Sequence, residues 1–354
     1  MEIFQNLEFP GNENDTSYYY GDGYVCNPRD EFSLESQTIA ISVVSLLVSV
    51  MGVLGNGLVL TVLICTKHTR TPTDSYLLHL TLIDLLLSLS LPFTAIQGIF
   101  QWYFGQVVCK MVGTMYKLNF FCSSLLLGFI SFDRYLAIVY AVQTYKKRKQ
   151  VVIHCICAGV WALCLLLQLP NTIYLRVETQ ENKSMCTYPW ASVERWLLTE
   201  QILYHVLGFA LPLLVMCYCY TMVGKTLWRC QNFKRRKAVR VVLLVTAVFF
   251  LCWTPFNLVI FINTLSKLEL INSQSCHFEH DLGVALRVTE CIGSVRCCLN
   301  PILYAFIGVK FRNDVLKLLR EMGCISQATL DKHFQLKQTT KNRSSTLTEN
   351  QFVE

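Results

Sequence analysis

The stretch from Ser36 to Thr66, SQTIAISVVSLLVSVMGVLGNGLVLTVLICT, contains no charged side chain. A helix needs about 20 mostly apolar residues to cross a bilayer. This stretch exceeds that length, and the pattern recurs on its C-terminal side. Leu85 to Cys109 is uncharged and extends back across Asp84 to about Asp74. Gln150 to Leu175, Gln201 to Gly224 and Val241 to Ser266 hold no acid, lysine or arginine, only His154 and His205. Two further runs are interrupted by charge. Cys109 to Ile138 carries Lys110, Lys117, Asp133 and Arg134, and Asp281 to Ile307 carries Arg287, Glu290 and Arg296. The expectation is an all-α membrane protein with seven spanning helices. The third and seventh, being least apolar, are expected to face protein or water rather than lipid.

Composition agrees. Of the 354 residues, 53% are hydrophobic and 16% charged, against about 45–50% and 25% in an average globular domain. A soluble enzyme of this length needs more polar surface to cover its core. Most of the chain is too apolar for disorder, and it is no disulfide-stapled mini-protein.

Orientation follows from lysine and arginine in short loops. Lys67 and Arg70 follow the first span. Lys146, Lys147, Arg148 and Lys149 follow the third, and Lys225, Arg229, Lys234, Arg235, Arg236, Lys237 and Arg240 lie between the fifth and sixth. Ahead of the first span, Glu2, Glu8, Glu13, Asp15, Asp22, Asp30, Glu31 and Glu35 face Arg29 alone. The N-terminus is therefore expected outside and the C-terminus inside, in a multi-pass plasma-membrane protein. The expected division is an acidic outer segment over 1–35, the bundle over 36–309, an amphipathic helix over 310–324 and a disordered tail over 325–354. No cleavable leader is evident at residue 1.

Most of the 17 cysteines fall within spans, where cysteine packs as a small apolar residue. Cys26, Cys109, Cys186 and Cys276 fall outside or at outer helix ends, and four cysteines allow three pairings. The expected bridges are Cys109–Cys186, tying the third span to the second outer loop, and Cys26–Cys276, tying the N-terminal segment to the third. The alternative is that one or both pairs are free. Asn14 and Asn182 head glycosylation sequons on the expected outside; Asn342 heads one on the inside and is discounted.

Ionisable groups within a membrane are costly and mark function by default. Asp84 lies mid-span, where Asn56, Asn119, Ser123 and Asn300 could surround it. A carboxylate with neutral oxygens suits a small hard cation such as sodium, the alternative being a water-filled polar network. No cofactor other than this sodium ion is expected. Asp133-Arg134-Tyr135 ends the third span, where the acid can restrain Arg134 by a charge-assisted hydrogen bond or the arginine can simply snorkel. Pro92, Pro170, Pro212, Pro255 and Pro301 lie inside spans as possible hinges. Trp253 and Tyr304 stand near two of these kinks, either as movable or as static aromatics.

Across the seven spans, in order, stand Asn56 in Gly-Asn-Gly, Asp84, Cys109, Asp133-Arg134-Tyr135, Trp161, Pro212, Trp253 with Pro255, and Asn300-Pro301-Ile302-Leu303-Tyr304. The ordered set resembles the rhodopsin-like G-protein-coupled receptors over about Ser36 to Gly323. Trp102-Tyr103-Phe104-Gly105, Ser131 to Val139, Cys252 to Val259 and Cys297 to Pro301 look like the CXC-type chemokine receptors. Gly308 to Arg312 is similar to types 3 and 5 of that group, and Leu211 to Met216 with Asp74 to Leu80 tilts toward type 3. Three positions depart from the family pattern: Tyr140 and Arg296 stand where His is usual, and Ser90-Leu91-Pro92 lacks a Thr two residues before the Pro. An arginine at 296 bears directly on the sodium expectation.

The resemblance implies a cell-surface receptor for a basic CXC chemokine that activates an inhibitory-type heterotrimeric G protein, with chemotaxis and calcium signalling downstream. Receptor kinases and arrestin are implied at the tail, where Ser326, Thr339, Thr340, Ser344, Ser345, Thr346 and Thr348 stand; no nucleic acid is implied. The acidic N-terminal segment suits a basic partner on its own account. Tyr18, Tyr19, Tyr20 and Tyr24 look like a tyrosine-sulfation region, which would add fixed negative charge. Glu290 matches a ligand-binding Glu of the family, with Trp102 and Tyr116 shaping the pocket; alternatively Glu290 pairs with Lys117 or Arg287. Activation would swing the sixth span outward, bring Arg134 to a G-protein helix, and let Tyr220 and Tyr304 stabilise the open form. Phe311 to Gly323 is amphipathic and is expected to lie along membrane lipid, with Cys324 a palmitoylation candidate. The rival readings are a non-signalling chemokine scavenger and an ion-coupled transporter. Intact Asp133-Arg134-Tyr135 argues against the first, and the lack of paired half-repeats against the second. No metal-ligand spacing, P-loop or nucleophile motif suggests an enzyme.

Overall fold

The computed structural model describes residues 31–65, 72–140, 150–180, 183–229, 233–268, 270–271, 276–307, 309–321 and 323–327. The chain runs α1 (Glu31–Cys65), α2 (Pro72–Ile99), α3 (Gly105–Val139), α4 (Gln150–Tyr174), β1 (Arg176–Gln180), β2 (Lys183–Thr187), α5 (Trp190–Leu203), a π-helical turn (Tyr204–Ala210), α6 (Leu211–Arg229), α7 (Phe233–Lys267), α8 (Cys276–Ile307) and α9 (Val309–Glu321). The fifth apolar run is thus one rod made of α5, the π turn and α6. Among the described residues, six helices are long and apolar enough to cross a membrane. α8 matches them in length but carries Arg287, Glu290 and Arg296, and it packs between α7 and α1 as the seventh member of the bundle. α3 lies at the centre, against α2, α4, α6 and α7.

The faces are inverted relative to a water-soluble bundle. α1 buries Ser42, Ser45, Ser49 and Asn56 and exposes Val43, Leu47, Val50 and Leu54. Leu166, Leu214, Leu251 and Leu258 are likewise exposed on α4, α6 and α7. Lipid is as apolar as leucine, so the outward faces cost nothing there, while polar side chains must turn inward to find partners.

Three of the prolines show how. Proline cannot donate to the carbonyl four residues before it, which leaves that oxygen without its helical partner. Pro92 releases the carbonyl of Ser88, and Ser49 Oγ on α1 donates to it at 2.7 Å. Pro212 releases that of Gly208, and Ser124 Oγ on α3 donates to it at 2.6 Å. Pro301 releases that of Cys297, and Asn56 Nδ2 on α1 donates to it at 2.8 Å. Each kink is closed by a neighbouring helix, so it also becomes a tie between helices. Gly208 sits in the π turn directly against Phe120: a Cβ there would stand 2.2 Å from the ring. Only glycine lets α3 approach the turn this closely.

Cys109 at the start of α3 is bonded to Cys186 on β2, with Cα atoms 5.5 Å apart. β1 and β2 form an antiparallel hairpin in which Val177 faces Cys186, and the bridge pins this hairpin over one end of the bundle. The other end carries α9. Its closing turn has the amide of Gly323 on the carbonyl of Arg320 at 2.9 Å and the amide of Cys324 on that of Leu319 at 2.8 Å. Gly323 adopts φ +75°, the left-handed cap that favours glycine. Cys324 is exposed just beyond it.

Candidate receptor pocket and coupling end

Beneath the hairpin a cavity opens between the helices, lined among others by Tyr116 and Lys117 of α3, Glu200 of α5, Tyr204 of the π turn, Phe256 of α7, and Arg287 and Glu290 of α8. Glu290 therefore faces the cavity as expected. Tyr116 does too, and its hydroxyl donates to the backbone carbonyl of Glu290 at 2.8 Å. Trp102 does not: it is buried in the apolar cluster that also holds Cys109 and Cys186, its ring packs edge-on against Phe104 with centroids 5.2 Å apart, its amide donates to the carbonyl of Ser184 on β2 at 2.7 Å, and its Nε1 donates to the carbonyl of Gly105 at 2.9 Å. It anchors the hairpin rather than shaping the pocket. The alternative in which Glu290 pairs with Lys117 is not the arrangement found. Lys117 Nζ donates to Glu200 Oε2 at 2.7 Å, to Asn171 Oδ1 at 3.0 Å and to Tyr188 OH at 3.0 Å. Glu200 Oε1 in turn accepts from Asn171 Nδ2 at 2.5 Å. This closed network of α3, α4, α5 and the hairpin forms one wall of the pocket. Sequence reasoning missed Glu200 and Asn171; the available signal was Lys117 itself, a mid-span ammonium that requires a counter-charge.

The pocket floor leads into an aromatic cluster. Tyr116 and Phe256 line the cavity, and both rings pack on Trp253, with centroids 5.2 and 5.7 Å from it. Trp253 is fully buried against Phe120 and Phe249 as well. It sits two residues before Pro255, inside α7. A ligand that displaces Tyr116 or Phe256 thus presses on the side chain at the kink of the sixth span.

At the α9 end, Arg134 Nη2 donates to Asp133 Oδ2 at 3.1 Å and also reaches Thr73 Oγ1. The arginine is held inside the bundle, as the restraint expected from the sequence requires. Tyr135 is buried, with ring contacts to Phe132, Tyr140 and Tyr218. Tyr220 OH lies 2.7 Å from Ser131 Oγ and 3.0 Å from Thr246 Oγ1. It ties α6 to both α3 and α7 and keeps the sixth span close to the third. Tyr304, three residues after Pro301, is buried near Phe311 of α9.

Midway, Asp84 is wholly buried. Its carboxylate accepts from Asn119 Nδ2 at 2.8 Å, from Asn300 Nδ2 at 2.7 Å and from Arg296 Nη2. Asn119, Ser123 and Asn300 gather there as expected. Asn56 is turned away, donating to the carbonyls of Gly52 and Cys297. Arg296 Nη2 already lies against Asp84, Asn119 and Ser123, so this oxygen set does not fit a sodium ion as well. Tyr18, Tyr19, Tyr20, Tyr24, Asn14, Asn182 and Cys26, and with Cys26 its expected bridge to Cys276, lie outside the described residues.

Residues 55–304 match the 7 transmembrane receptor (rhodopsin family). The chain belongs to that family, within its chemokine-receptor group. It is 41% identical over 338 residues to C-X-C chemokine receptor type 5 of Homo sapiens, covering 93% of this chain and 90% of the relative. It is 40% identical over 325 residues to C-X-C chemokine receptor type 3 of Homo sapiens, covering 90% and 88%. It is also 43% identical over 284 residues to C-C chemokine receptor type 7 of Mus musculus, covering 79% and 75%. The receptor is a multi-pass membrane protein and not an enzyme, and α8 is its seventh span despite the charges it carries.

Proposed function

We propose that this receptor binds a basic CXC chemokine outside the cell and activates an inhibitory-type heterotrimeric G protein inside it, driving chemotaxis and calcium signalling. The observation that carries this reading is the aromatic link between the two ends: Tyr116 and Phe256 line the pocket and pack on Trp253 at the Pro255 kink. The N-terminus faces outward, where its acidic segment and sulfated Tyr18, Tyr19, Tyr20 and Tyr24 capture the chemokine body. The chemokine's N-terminal segment enters the pocket, and its amine or an arginine meets Glu290. Pressure on Trp253 favours the conformation with the sixth span swung out, to the extent of the ligand's differential affinity for it. Arg134, freed from Asp133, then receives the G-protein helix, with Tyr220 and Tyr304 supporting the open form. Receptor kinases modify the tail and arrestin follows. α9 lies on the lipid surface, anchored by palmitate on Cys324; Asn14 and Asn182 carry glycans, and a Cys26–Cys276 bridge braces the pocket rim.

The test is G-protein activation in cells expressing the receptor at their surface, challenged with a panel of chemokines. The expected result is activation by at least one CXC member, abolished by a toxin that uncouples inhibitory G proteins. Binding without activation by any member would leave a scavenger and overturn the signalling reading.

A further inference from the structure

Arg296 ends where the sequence places an ion. Its Nη2 lies against Asp84 Oδ1, 2.8 Å from Asn119 Oδ1 and 2.9 Å from Ser123 Oγ. That nitrogen carries two hydrogens but faces three oxygens, the kind of oxygen surround that a coordinated cation takes. The rest of the guanidinium is held differently. Nε and Nη1 have no hydrogen-bond partner among the described residues, and the ring of Phe249 lies 5.6 Å from Cζ. The side chain is thus secured by the one nitrogen that occupies the oxygen site. The relative exposures of the Arg296 and Asp84 side chains are 1% and 0%, so water does not screen the contact.

We infer that Arg296 is a tethered substitute for a bound cation: its guanidinium fills the Asp84–Asn119–Ser123 site, and this receptor takes no sodium ion there. A second cation would have to share one carboxylate with a positive group already touching it, in a site that gives neither charge solvent. The consequence is mechanical as well as ionic. Asp84 belongs to α2, Asn119 and Ser123 to α3, and Arg296 to α8, so the arm clasps three helices. A free ion leaves when its concentration falls or its site deforms. A tethered guanidinium can only swing, so the balance between conformations at this depth is indifferent to salt.

The inference does not depend on which ligand the receptor binds, and its test needs none. The full chain, purified in detergent, is melted in sodium chloride and in choline chloride at equal ionic strength. The wild-type Tm is expected to be the same in both salts. Arg296→Ser removes the arm and leaves the oxygens. It is expected to melt higher in sodium by about 3 °C or more, the rise for an ion at about tenfold its Kd, and Arg296→Ser/Asp84→Asn is expected to lose the difference. Arg296→His gives a second, milder version of the same comparison where the serine variant does not purify. A sodium-specific rise in the wild type that Asp84→Asn abolishes would overturn the inference. So would a folded Arg296→Ser as indifferent to sodium as the wild type.

Discussion

Replacing Glu200 by Gln keeps the shape of the side chain and removes its charge. Lys117 Nζ spends all three hydrogens on Asn171, Tyr188 and Glu200, at 3.0, 3.0 and 2.7 Å. The two charged side chains are only 10% and 4% exposed, so the ammonium cannot turn to water instead. After the substitution only neutral acceptors remain, with no counter-charge. Removing one partner of a buried ion pair costs about 3–5 kcal/mol. The surviving acceptors, and the Tyr188 ring with its centroid 4.9 Å from Nζ, place this case at the lower end, about 3 kcal/mol. At about 2–4 °C per kcal/mol for a large chain, Tm should fall by about 6–12 °C. The assay is thermal unfolding of the purified receptor followed by intrinsic fluorescence. Lys117→Met/Glu200→Leu should recover most of the loss, because removing both charges also removes their desolvation. A Tm for Glu200→Gln within about 1 °C of wild type, or a double variant no more stable than the single one, would refute the account of this wall.

Asn56→Ala should destabilise by about 1–3 kcal/mol, because the carbonyl of Cys297 released by Pro301 is left buried without a donor; a melting curve unchanged from wild type would contradict the cap. Asp133→Asn weakens the hold on Arg134 and should raise basal nucleotide exchange on the G protein severalfold in membranes. Unchanged basal exchange at equal expression would show that the carboxylate is no restraint. Glu290→Gln should lower chemokine efficacy more than chemokine binding, measured by parallel activation and displacement assays, and a loss of neither would leave Glu290 a structural residue.

Most of the spans are legible because a helix that faces lipid needs about 20 mostly apolar residues, and Ser36 to Thr66 satisfies this on inspection; the third and seventh, which carry charge, are legible from their length and from the apolar residues between the charges. Cys109–Cys186 was legible because few cysteines lie outside the runs. What depended on helix rotation was not. The depths of Lys117, Glu200 and Glu290 along their helices can be counted from sequence, but which carboxylate the ammonium meets depends on how α3, α5 and α8 turn about their axes. Glu200 also lies one residue before the apolar run Gln201 to Gly224, outside the stretch that composition marks as the fifth span. Trp102, an aromatic between two spans, has the composition of a pocket rim. Only the fold shows its indole buried in the cluster that holds the disulfide. The sequence shows a buried acid with neutral oxygens around it, open to a cation or to a polar network, and Arg296 as a departure from the family pattern. That the cation is the arginine itself required the reach of the side chain.

The π turn at Tyr204–Ala210 inserts one residue more than a regular helix holds, and successive α-helical residues are about 100° apart around the axis. Everything after it on the fifth span is therefore phased by that extra residue, including Tyr220. Winding the same residues as regular α-helix, with none removed, would point Tyr220 about 100° away from Thr246, whereas the wide turn absorbs the extra residue and keeps the phase. The coupling end of the receptor is thus indexed by an irregularity far from it, and a perfectly regular helix with the same number of residues would be the defective one.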